Sequence, residues 1–208
     1  MVLSRFTYLL LVGGFAASPY LQQAIQERFS KEIAILVPEE PQLAIIRGAV
    51  RFGHTPDEIK SRISKYSYGI ATRCCFIKGY HRESSAIYID DIKHSDGVFN
   101  TIIMKGDTVE RNQKIKKTYG PAGKEDTNIG LNVYAMPFQP STPQYVTDVG
   151  IHKLGKGIGV LVPSAEEAKN TTDRDISVEF CFGDTEIRVE AYNAFTGDRQ
   201  ECTVDFLH

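Results

Sequence analysis

The feature that most constrains the fold is an apolar run that ends in two glycines and is followed at once by a helical pattern, from Tyr8 to Ile25. The residues from Leu9 to Val12 are continuously apolar, which is typical of a strand buried on both faces of a parallel sheet. Gly13 and Gly14 end that strand, because glycine adopts positive φ and lets a ligand approach the backbone. The pattern predicts a strand, a tight turn and a helix, with backbone N–H groups at the turn directed toward an anion.

The helix after the turn is predicted to begin near Pro19, since proline suits the first helical position and Ser18 is a preferred N-cap residue. Apolar residues recur after it at the helical period, which predicts one buried stripe. The members of this stripe are Tyr20, Leu21, Ala24, Ile25 and Phe29.

A second strand and helix are predicted to follow. Ile33 to Val37 form another short apolar run, and Pro38 and Pro41 indicate the turn after it. A further helix reaches Gly53, with an expected buried stripe of Leu43, Ile46, Ala49 and Val50. Two strands do not make a complete sheet with cover on both faces, so residues 1–53 are expected to be the end of a larger domain.

Helical periodicity disappears after a charged segment that we interpret as a linker over residues 54–65. Thr55 and Pro56 also permit a short helix to start within it. From Tyr66 onward the chain alternates apolar and polar residues between turn signals, as from Ile129 to Ala135 and from Ile176 to Phe182. A two-residue turn at Gly183-Asp184 predicts a hairpin, and the whole region predicts an antiparallel sandwich.

Composition and charge exclude some classes of function. The chain has 208 residues, a formal net charge of -2 and a pI of about 6.2, so nucleic acid is not expected as a partner. The lysines at 114, 116 and 117 are interpreted as protection of a sheet edge. The cysteines at 74, 75, 181 and 202 lack metal-ligand spacing and are expected to be reduced thiols, with a Cys181–Cys202 bridge as the alternative. The five histidines are scattered and predict no metal site.

The N-terminus permits two locations. Arg5 followed by the apolar run to Ala17 also imitates a secretory signal peptide, in which case cleavage near Ser18 would follow. The glycine pair interrupts the apolar segment and Pro19 is poorly placed after a cleavage site, so we favour a cytoplasmic protein over a secreted one. Asn170 heads a glycosylation sequon that matters only if the chain is secreted.

The stretch from Tyr8 to Ile25 resembles the adenosine motif of the actin-like ATPases. Its Gly-Gly-Phe-Ala form, followed by Ser-Pro and Leu-Gln-Gln, is most similar to the divergent heat shock 70 kDa protein 12 branch of the seventy-kilodalton heat-shock chaperone family. PEEPQLAIIRGAVRFG, from Pro38 to Gly53, is similar to the closing helix of that family's nucleotide-binding domain. TYGPAGKEDTNIGLNVYAM and FGDTEIRVEAYNAFTGD resemble the family's β-sandwich substrate-binding domain.

The resemblance implies an α+β chain in two parts. Residues 1–53 would be the terminal α/β fragment of an actin-like ATPase nucleotide-binding domain, residues 54–65 a linker, and residues 66–208 an antiparallel β-sandwich. The family's helical lid and the catalytic first half of its nucleotide domain have no counterpart in the sequence, so a partial gene product and no ATP hydrolysis by this chain are expected. The linker also lacks the family's leucine-rich character.

For the nucleotide, the resemblance implies ATP as the cofactor, contacted by Gly13, Gly14, Phe15 and Ser18. The family's arginine over the adenine corresponds here to Ala17.

For the substrate, the resemblance implies an extended polypeptide held under an arch of Arg73 and Tyr119 and over a pocket lined by Ile129. Arg73 stands where the family has a small apolar residue, and it would favour acidic flanks in the bound segment. The expected partners are client polypeptides and co-chaperones, without a membrane. The alternatives are that Ile129 is only core and Tyr119 a turn aromatic, so that the sandwich is a protein-interaction module.

Overall fold

The computed structural model describes residues 6–55, 58–139, 144–183 and 185–206. Over these ranges the chain forms two helices near its start, α1 (Pro19–Phe29) and α2 (Ala44–His54). The strands are β1 (Tyr8–Leu10), β2 (Ala34–Leu36), β3 (Ser61–Ile63), β4 (Ser67–Cys75), β5 (Ala86–Ile89), β6 (Ile92–Ile103), β7 (Thr108–Glu110), β8 (Gln113–Tyr119), β9 (Asn128–Met136), β10 (His152–Leu161), β11 (Ile176–Phe182), β12 (Glu186–Asn193) and β13 (Arg199–Asp205). This confirms the α+β class, and none of the described helices is long and apolar enough to span a membrane.

The chain divides into two compact units, Met1–Ile59 and Lys60–His208. In the first unit, β1 and β2 pair in parallel, with Tyr8 opposite Ala34 and Leu10 opposite Leu36. The connection between them contains the glycine turn and α1, as a parallel pair requires a crossover. The predicted succession of strand, turn, helix and strand is confirmed, and so is the start of α1 at Pro19.

The predicted burial of the first unit is wrong in several places. Leu10 and Val12 are exposed rather than covered on both faces. On α1, Tyr20 is 82% exposed and Ala24 is exposed, whereas the other members of the stripe are only partly buried. On α2, Ile46, Ala49 and Val50 of the expected buried stripe face water, with Ile46 at 63% exposure, whereas Leu43 at the N-cap position is half-buried. Helical periodicity identifies which residues share a face, but a face is buried only where another element of the chain packs on it.

The second unit contains two antiparallel sheets and a small β3–β7 pair. The first sheet has five strands in the order β10-β9-β4-β6-β5, and the second has four in the order β13-β12-β11-β8. The inner faces of both supply one continuous core, which confirms the predicted antiparallel sandwich. Its most buried large side chains are Tyr68, Ile70, Met136, Val160, Ile176, Val178, Phe180, Phe182, Ile187 and Val189.

The alternation predicted for this unit is confirmed in the paired strands. Leu131, Val133 and Ala135 are buried along β9, whereas Gly130, Asn132 and Tyr134 are not. Met136, the last residue of the strand, is also buried. β11 and β12 form the predicted hairpin, with Phe182 opposite Ile187. Gly183 N donates to Glu186 O at 2.8 Å, so the turn lies one residue later than predicted. Asp184, which was assigned to that turn, lies outside the described residues.

The segment interpreted as a linker contains regular structure at both of its ends. His54 is the last residue of α2 and Thr55 is its C-cap residue. Glu58, the next described residue, has 3-10 geometry and its N–H donates to Thr55 O at 3.2 Å, as expected if a short helical turn starts at Thr55. Residues 61–63 form β3, which pairs with β7. Pro56 lies outside the described residues, as does Arg5 of the signal-like segment.

Sheet order also decides two predictions about single residues. β8 is the edge strand of its sheet, which confirms that Lys114, Lys116 and Lys117 lie on an edge. The alternative of a Cys181–Cys202 bridge is wrong, because β12 separates the two strands and adjacent strands are already about 4.8 Å apart. The four cysteines are free thiols.

Candidate functional site

The glycine turn has part of the predicted backbone geometry, since Gly13 but not Gly14 adopts a positive φ. Gly13 adopts φ of 96°, a conformation that favours glycine, and its N–H donates to Pro41 O at 2.7 Å. A single turn of 3-10 helix follows over Gly14–Ala17. A Cβ atom at either glycine would meet no heavy atom within 4 Å, so the turn is open on its outer side.

The other two residues predicted to contact nucleotide lie beside this turn. Phe15 is 76% exposed and Ser18 is partly buried at the N-cap position of α1. The Ser18 side chain makes no capping hydrogen bond, so its predicted capping role is wrong in this structure, although its backbone carbonyl accepts from Gln22 N at 3.1 Å.

The turn therefore offers a nucleotide little more than backbone. Gly13 N is already bonded to Pro41 O, which leaves the N–H groups of Gly14 and Phe15 as the donors at the start of the 3-10 turn. Residues 13–18 contain no lysine or arginine to neutralise a phosphate. This set fits a contact to part of a nucleotide, without the charge that would hold a triphosphate.

In the second unit, a loop of residues 120–127 joins β8 to β9 and so passes from one sheet of the sandwich to the other. Tyr119 precedes this loop and Ile129 follows it by two residues, so the structure brings these two predicted site residues to the same connection. Tyr119 Oη donates to Asn100 Oδ1 on β6 at 3.1 Å. This bond crosses between the two sheets, and burial raises the pKa of Tyr119 to about 12.

Ile129 lies on the same face of β9 as the buried Leu131 and Val133, and it is only partly buried. It packs against the core cluster and lies opposite Val160 of β10. This position fits both interpretations of Ile129 from the sequence, as a core residue and as the lining of a pocket. One part of the side chain packs in the core, and another part reaches the surface beside the loop.

Arg73 lies near the end of β4, where its guanidinium forms an ion pair with Asp96 on β6 at 2.8 Å. Both side chains are about half exposed. Within the described ranges, neither Tyr119 nor Ile129 contributes to this pair. The structure therefore joins two of the three predicted substrate residues and leaves Arg73 with an acidic partner of its own.

The sequence did not identify two residues that fix the 120–127 loop. Arg174 Nη2 donates to the carbonyl oxygens of Gly123, Lys124 and Asp126 at 3.1, 2.9 and 2.7 Å. On the other side, Lys124 N donates to Asp90 Oδ2 at 2.7 Å. These partners are separated by 34 to 51 residues in the chain, so no local pattern indicates them.

One Cys–His contact was also not predicted, because the histidines are scattered in the sequence and form no ligand-like pattern with cysteine. Cys74 Sγ is 3.6 Å from His81 Nε2, while Ile77 N donates to His81 Nδ1 at 3.0 Å. A neutral ring that accepts at Nδ1 carries its proton on Nε2, so His81 donates toward the thiol and cannot take its proton. Burial also raises the pKa of Cys74. The pair is not an activated nucleophile, and no cluster of three metal-ligating side chains occurs in the part of the chain that the structure describes.

Comparison with known proteins gives a consistent result. Heat shock 70 kDa protein 12A of Homo sapiens is 31% identical over 205 residues, which cover 99% of this chain and 30% of the relative. The Mus musculus protein of the same name is 32% identical over 205 residues, again 99% of this chain and 30% of the relative. Heat shock 70 kDa protein 12B of Homo sapiens is 29% identical over 205 residues, 96% of this chain and 29% of the relative. No protein-family model matches the chain.

The chain contains a parallel strand–turn–helix unit and an antiparallel sandwich. Its sequence is similar to these proteins along nearly its whole length, which makes it a relative of the seventy-kilodalton heat-shock proteins. Within that class the similarity is to the heat shock 70 kDa protein 12 branch, and the resemblance predicted from the Gly-Gly-Phe-Ala motif is confirmed. The chain spans about 30% of the length of the 12A relatives that it matches.

Proposed function

We propose that the Lys60–His208 unit binds extended, partly apolar polypeptide segments as part of a chaperone of the heat shock 70 kDa protein 12 type. The observation that carries this proposal is the 120–127 loop, which has Tyr119 and Ile129 at its two ends and is hydrogen-bonded on both sides. A surface in which the backbone is already ordered binds a flexible segment at a smaller entropic cost.

The surroundings of the loop favour apolar segments. Asp90, which the loop contacts through Lys124 N, lies in the turn between β5 and β6. Apolar side chains beside this turn are exposed, with Tyr88 at 72% and Ile92 at 56%. β5 is the edge strand of its sheet, so its outward N–H and C=O groups are available to an added strand.

The expected preference for peptide segments with acidic flanks depends on Arg73, which already has an acidic partner. Its guanidinium is already paired with Asp96, so an incoming carboxylate would compete with that partner in a solvated setting. Exposed ion pairs of this type contribute at most about 1 kcal/mol, and salt screens them. We therefore expect Arg73 to tune the choice of segment rather than to supply most of the affinity.

The test is fluorescence anisotropy with labelled peptides that carry a leucine-rich centre and either acidic or neutral flanks. Tyr119→Ala is expected to weaken binding of both peptides, and Arg73→Ala to reduce only the difference between them. Arg28→Ala is the matched control, because this exposed arginine lies on α1, in the other compact unit. Absence of binding by the wild-type chain, or equal binding by all variants that still unfold cooperatively, would reject the proposal.

For the Met1–Ile59 unit we propose that it is part of an actin-like ATPase nucleotide-binding domain and that its glycine turn contacts ATP or ADP. The open turn at Gly13 and Gly14 supports this, and its lack of a cation predicts weak affinity. Phosphoryl transfer needs a bound magnesium ion and positioned charges, so this chain alone is not expected to hydrolyse ATP. Calorimetric titration with ADP and a magnesium-dependent phosphate-release assay test both statements; turnover by the purified chain would overturn the second.

We propose a cytoplasmic location, in which the four free cysteines stay reduced and Asn170 carries no sugar. A secreted form would lose the segment before about Ser18 and with it the glycine turn. Intact-mass analysis of the native protein separates the two locations, since cleavage and glycosylation change the mass in opposite directions.

One observation favours the alternative of a protein-interaction module. The outer face of the four-stranded sheet forms a concavity of about 660 Å³, whose lining includes Lys114, Glu179, Glu190 and Arg199. Several charges on this face pair with each other, as Lys114 does with Glu179 at 2.7 Å. A partner docked there would leave the Tyr119→Ala variant with undiminished binding, which distinguishes the two functions in the anisotropy experiment.

A further inference from the structure

We propose that Arg174 is a positioning residue that holds the 120–127 loop in the shape required to flank a bound polypeptide. The inference rests on the proposed function, because it concerns the loop between Tyr119 and Ile129. Arg174 acts through this loop and does not itself touch the polypeptide.

Arg174 donates hydrogen bonds to backbone carbonyl oxygens on two segments of the chain. Its Nη2 donates to three carbonyl oxygens of the loop, those of Gly123, Lys124 and Asp126. Its Nε donates to Pro163 O at 3.0 Å, which ties the loop to the segment after β10. A guanidinium presents several donors in one rigid plane, so it can serve diverging carbonyls that a lysine ammonium would serve less well.

Arg174 is itself held by Asn193, which is only 1% exposed at the end of β12. Asn193 Nδ2 donates at 2.8 Å to the carbonyl oxygens of Asp173 and Asp175, the residues on either side of Arg174. Asn193 Oδ1 accepts from Phe195 N and Thr196 N at 3.0 and 2.8 Å. A fully satisfied buried amide is a rigid support, so the backbone that carries Arg174 is fixed before Arg174 meets the loop.

The opposite side of the loop is held less strongly. Lys124 N donates one hydrogen bond to the exposed carboxylate of Asp90. Packing adds to it, because Gly123 is buried and a Cβ atom there would lie 2.9 Å from Ile89 Cγ2. The two hydrogens of Nη2 are shared among three carbonyl oxygens, and the donor is a partly buried cation. These contacts outweigh one bond to an exposed carboxylate, so Arg174 holds the loop more strongly than Asp90 does.

This arrangement explains how an exposed connection can be ready to bind. A free loop of this length would have to be ordered when the polypeptide arrives, and that cost would weaken binding. With Arg174 in place, the cost is met during folding. Tyr119 then stands at a fixed end of the loop, with its hydroxyl on Asn100.

The experiment is amide hydrogen exchange by NMR on the full chain, which needs no ligand. In Arg174→Ala, the amides of Gly123, Lys124 and Asp126 are expected to exchange about tenfold or more faster, since hydrogen bonds to a charged group are worth more than neutral ones. Amides of Phe180 and Val189, in the core strands β11 and β12, should keep their wild-type rates. Asp90→Ala should accelerate mainly Lys124, and Arg188→Ala should change none of the three.

Peptide binding forms the second arm, with a fluorescein-labelled peptide that has three central leucines as the probe. If the wild type binds this probe, Arg174→Ala is expected to raise Kd about tenfold, whereas Arg174→Lys recovers part of the loss. If the wild type does not bind, the proposed function fails while the exchange data still decide the role of Arg174.

Two results would overturn the role of Arg174. The first is unchanged exchange of the three loop amides in Arg174→Ala. The second is equal acceleration across Gly123, Phe180 and Val189, which would mean that the substitution lowers the stability of the whole sandwich rather than releasing one loop.

Discussion

The two compact units of the chain differ in how they use apolar residues. Among the described residues of the sandwich unit, nineteen buried side chains, most of them from the two sheets, form one core. In the Met1–Ile59 unit, Ala16 and Ile33 are the buried hydrophobic residues among those described, while Ile45, Ile46 and Val50 of α2 are exposed. Both units have the hydrophobic patterns of folded elements, but within the described ranges only the sandwich contains the second layer that such patterns need.

This difference teaches that amphipathic patterning and stability are separate properties. A helix such as α2 is specified by its periodic residues, yet its free energy comes mainly from packing against another element. The sandwich supplies that packing within the described chain. We therefore expect the stability of the molecule to reside in the Lys60–His208 unit.

The largest expected effect is a contrast between two large-to-small substitutions, one in each unit. Phe180 is 2% exposed in the sandwich core, so Phe180→Ala is expected to lower the free energy of unfolding by about 3–5 kcal/mol through lost burial and a cavity. Ile46→Ala on α2 removes an exposed side chain and should change the unfolding free energy by less than about 0.5 kcal/mol. Urea unfolding followed by circular dichroism measures both.

The contrast would be broken if Ile46→Ala destabilised the chain as much as Phe180→Ala. That result would mean that another element covers α2 in solution, so the stability of the molecule would not reside mainly in the sandwich. The unfolding slope against urea serves as the control, since it should stay the same for both variants if each unfolds in one cooperative step.

A smaller effect is expected where the two sheets are joined by a hydrogen bond. Tyr119→Phe removes the donor to Asn100 Oδ1 and is expected to cost about 1 kcal/mol. Burial raises the pKa of Tyr119 from its ordinary value of 10.0 to about 12, so folding favours the protonated phenol. The stability that Tyr119 contributes is therefore complete below about pH 10 and is lost as the pH rises toward 12.

Thermal unfolding across this alkaline range tests the assignment. The wild-type melting temperature should fall with pH between 10 and 12, and Tyr119→Phe should show a shallower fall from a lower starting value. Parallel curves for the two proteins would contradict a titrating Tyr119. Such a result would place the alkaline transition elsewhere in the sandwich.

The smallest effect is expected on the exposed outer face of the same unit. Hydrogen bonds from Lys114 and then Lys116 hold the pKa of Glu179 below its ordinary value of 4.5. A depressed carboxyl pKa contributes stability above that value and loses it as the pH falls through the lower, folded-state value. Glu179→Gln should leave unfolding at neutral pH nearly unchanged and flatten the acid dependence below 4.5. A large loss at neutral pH would show that surface charge, and not only the core, stabilises the sandwich.

The parts of the fold that depend on near neighbours could be predicted from the sequence. The glycine turn, the start of α1 at Pro19 and the alternation along β9 are set by residues within a few positions of one another. The antiparallel sandwich followed from the recurrence of such strands. The class of relatives followed from two short motifs at the correct spacing.

The remainder depends on contacts that are distant in the chain. The exposure of Ile46 is decided by what packs on α2, and the support from Asn193 to Arg174 joins residues about twenty positions apart. The ion pair between Arg73 and Asp96 arises only after β4 and β6 are in register. The 120–127 loop is a further case, since Tyr119 and Ile129 were assigned from motifs while Arg174 has no motif.

The hydroxyl of Tyr68 donates to Phe206 O at 2.7 Å, across 138 residues of chain. A ribosome releases Tyr68 long before it makes Phe206, so the inner face of the five-stranded sheet is uncovered for most of synthesis. Closing contacts over such a separation is slow, and apolar strands that wait for their partners aggregate readily. During its own biogenesis, therefore, this relative of heat-shock proteins presents the kind of exposed apolar strand that chaperones protect.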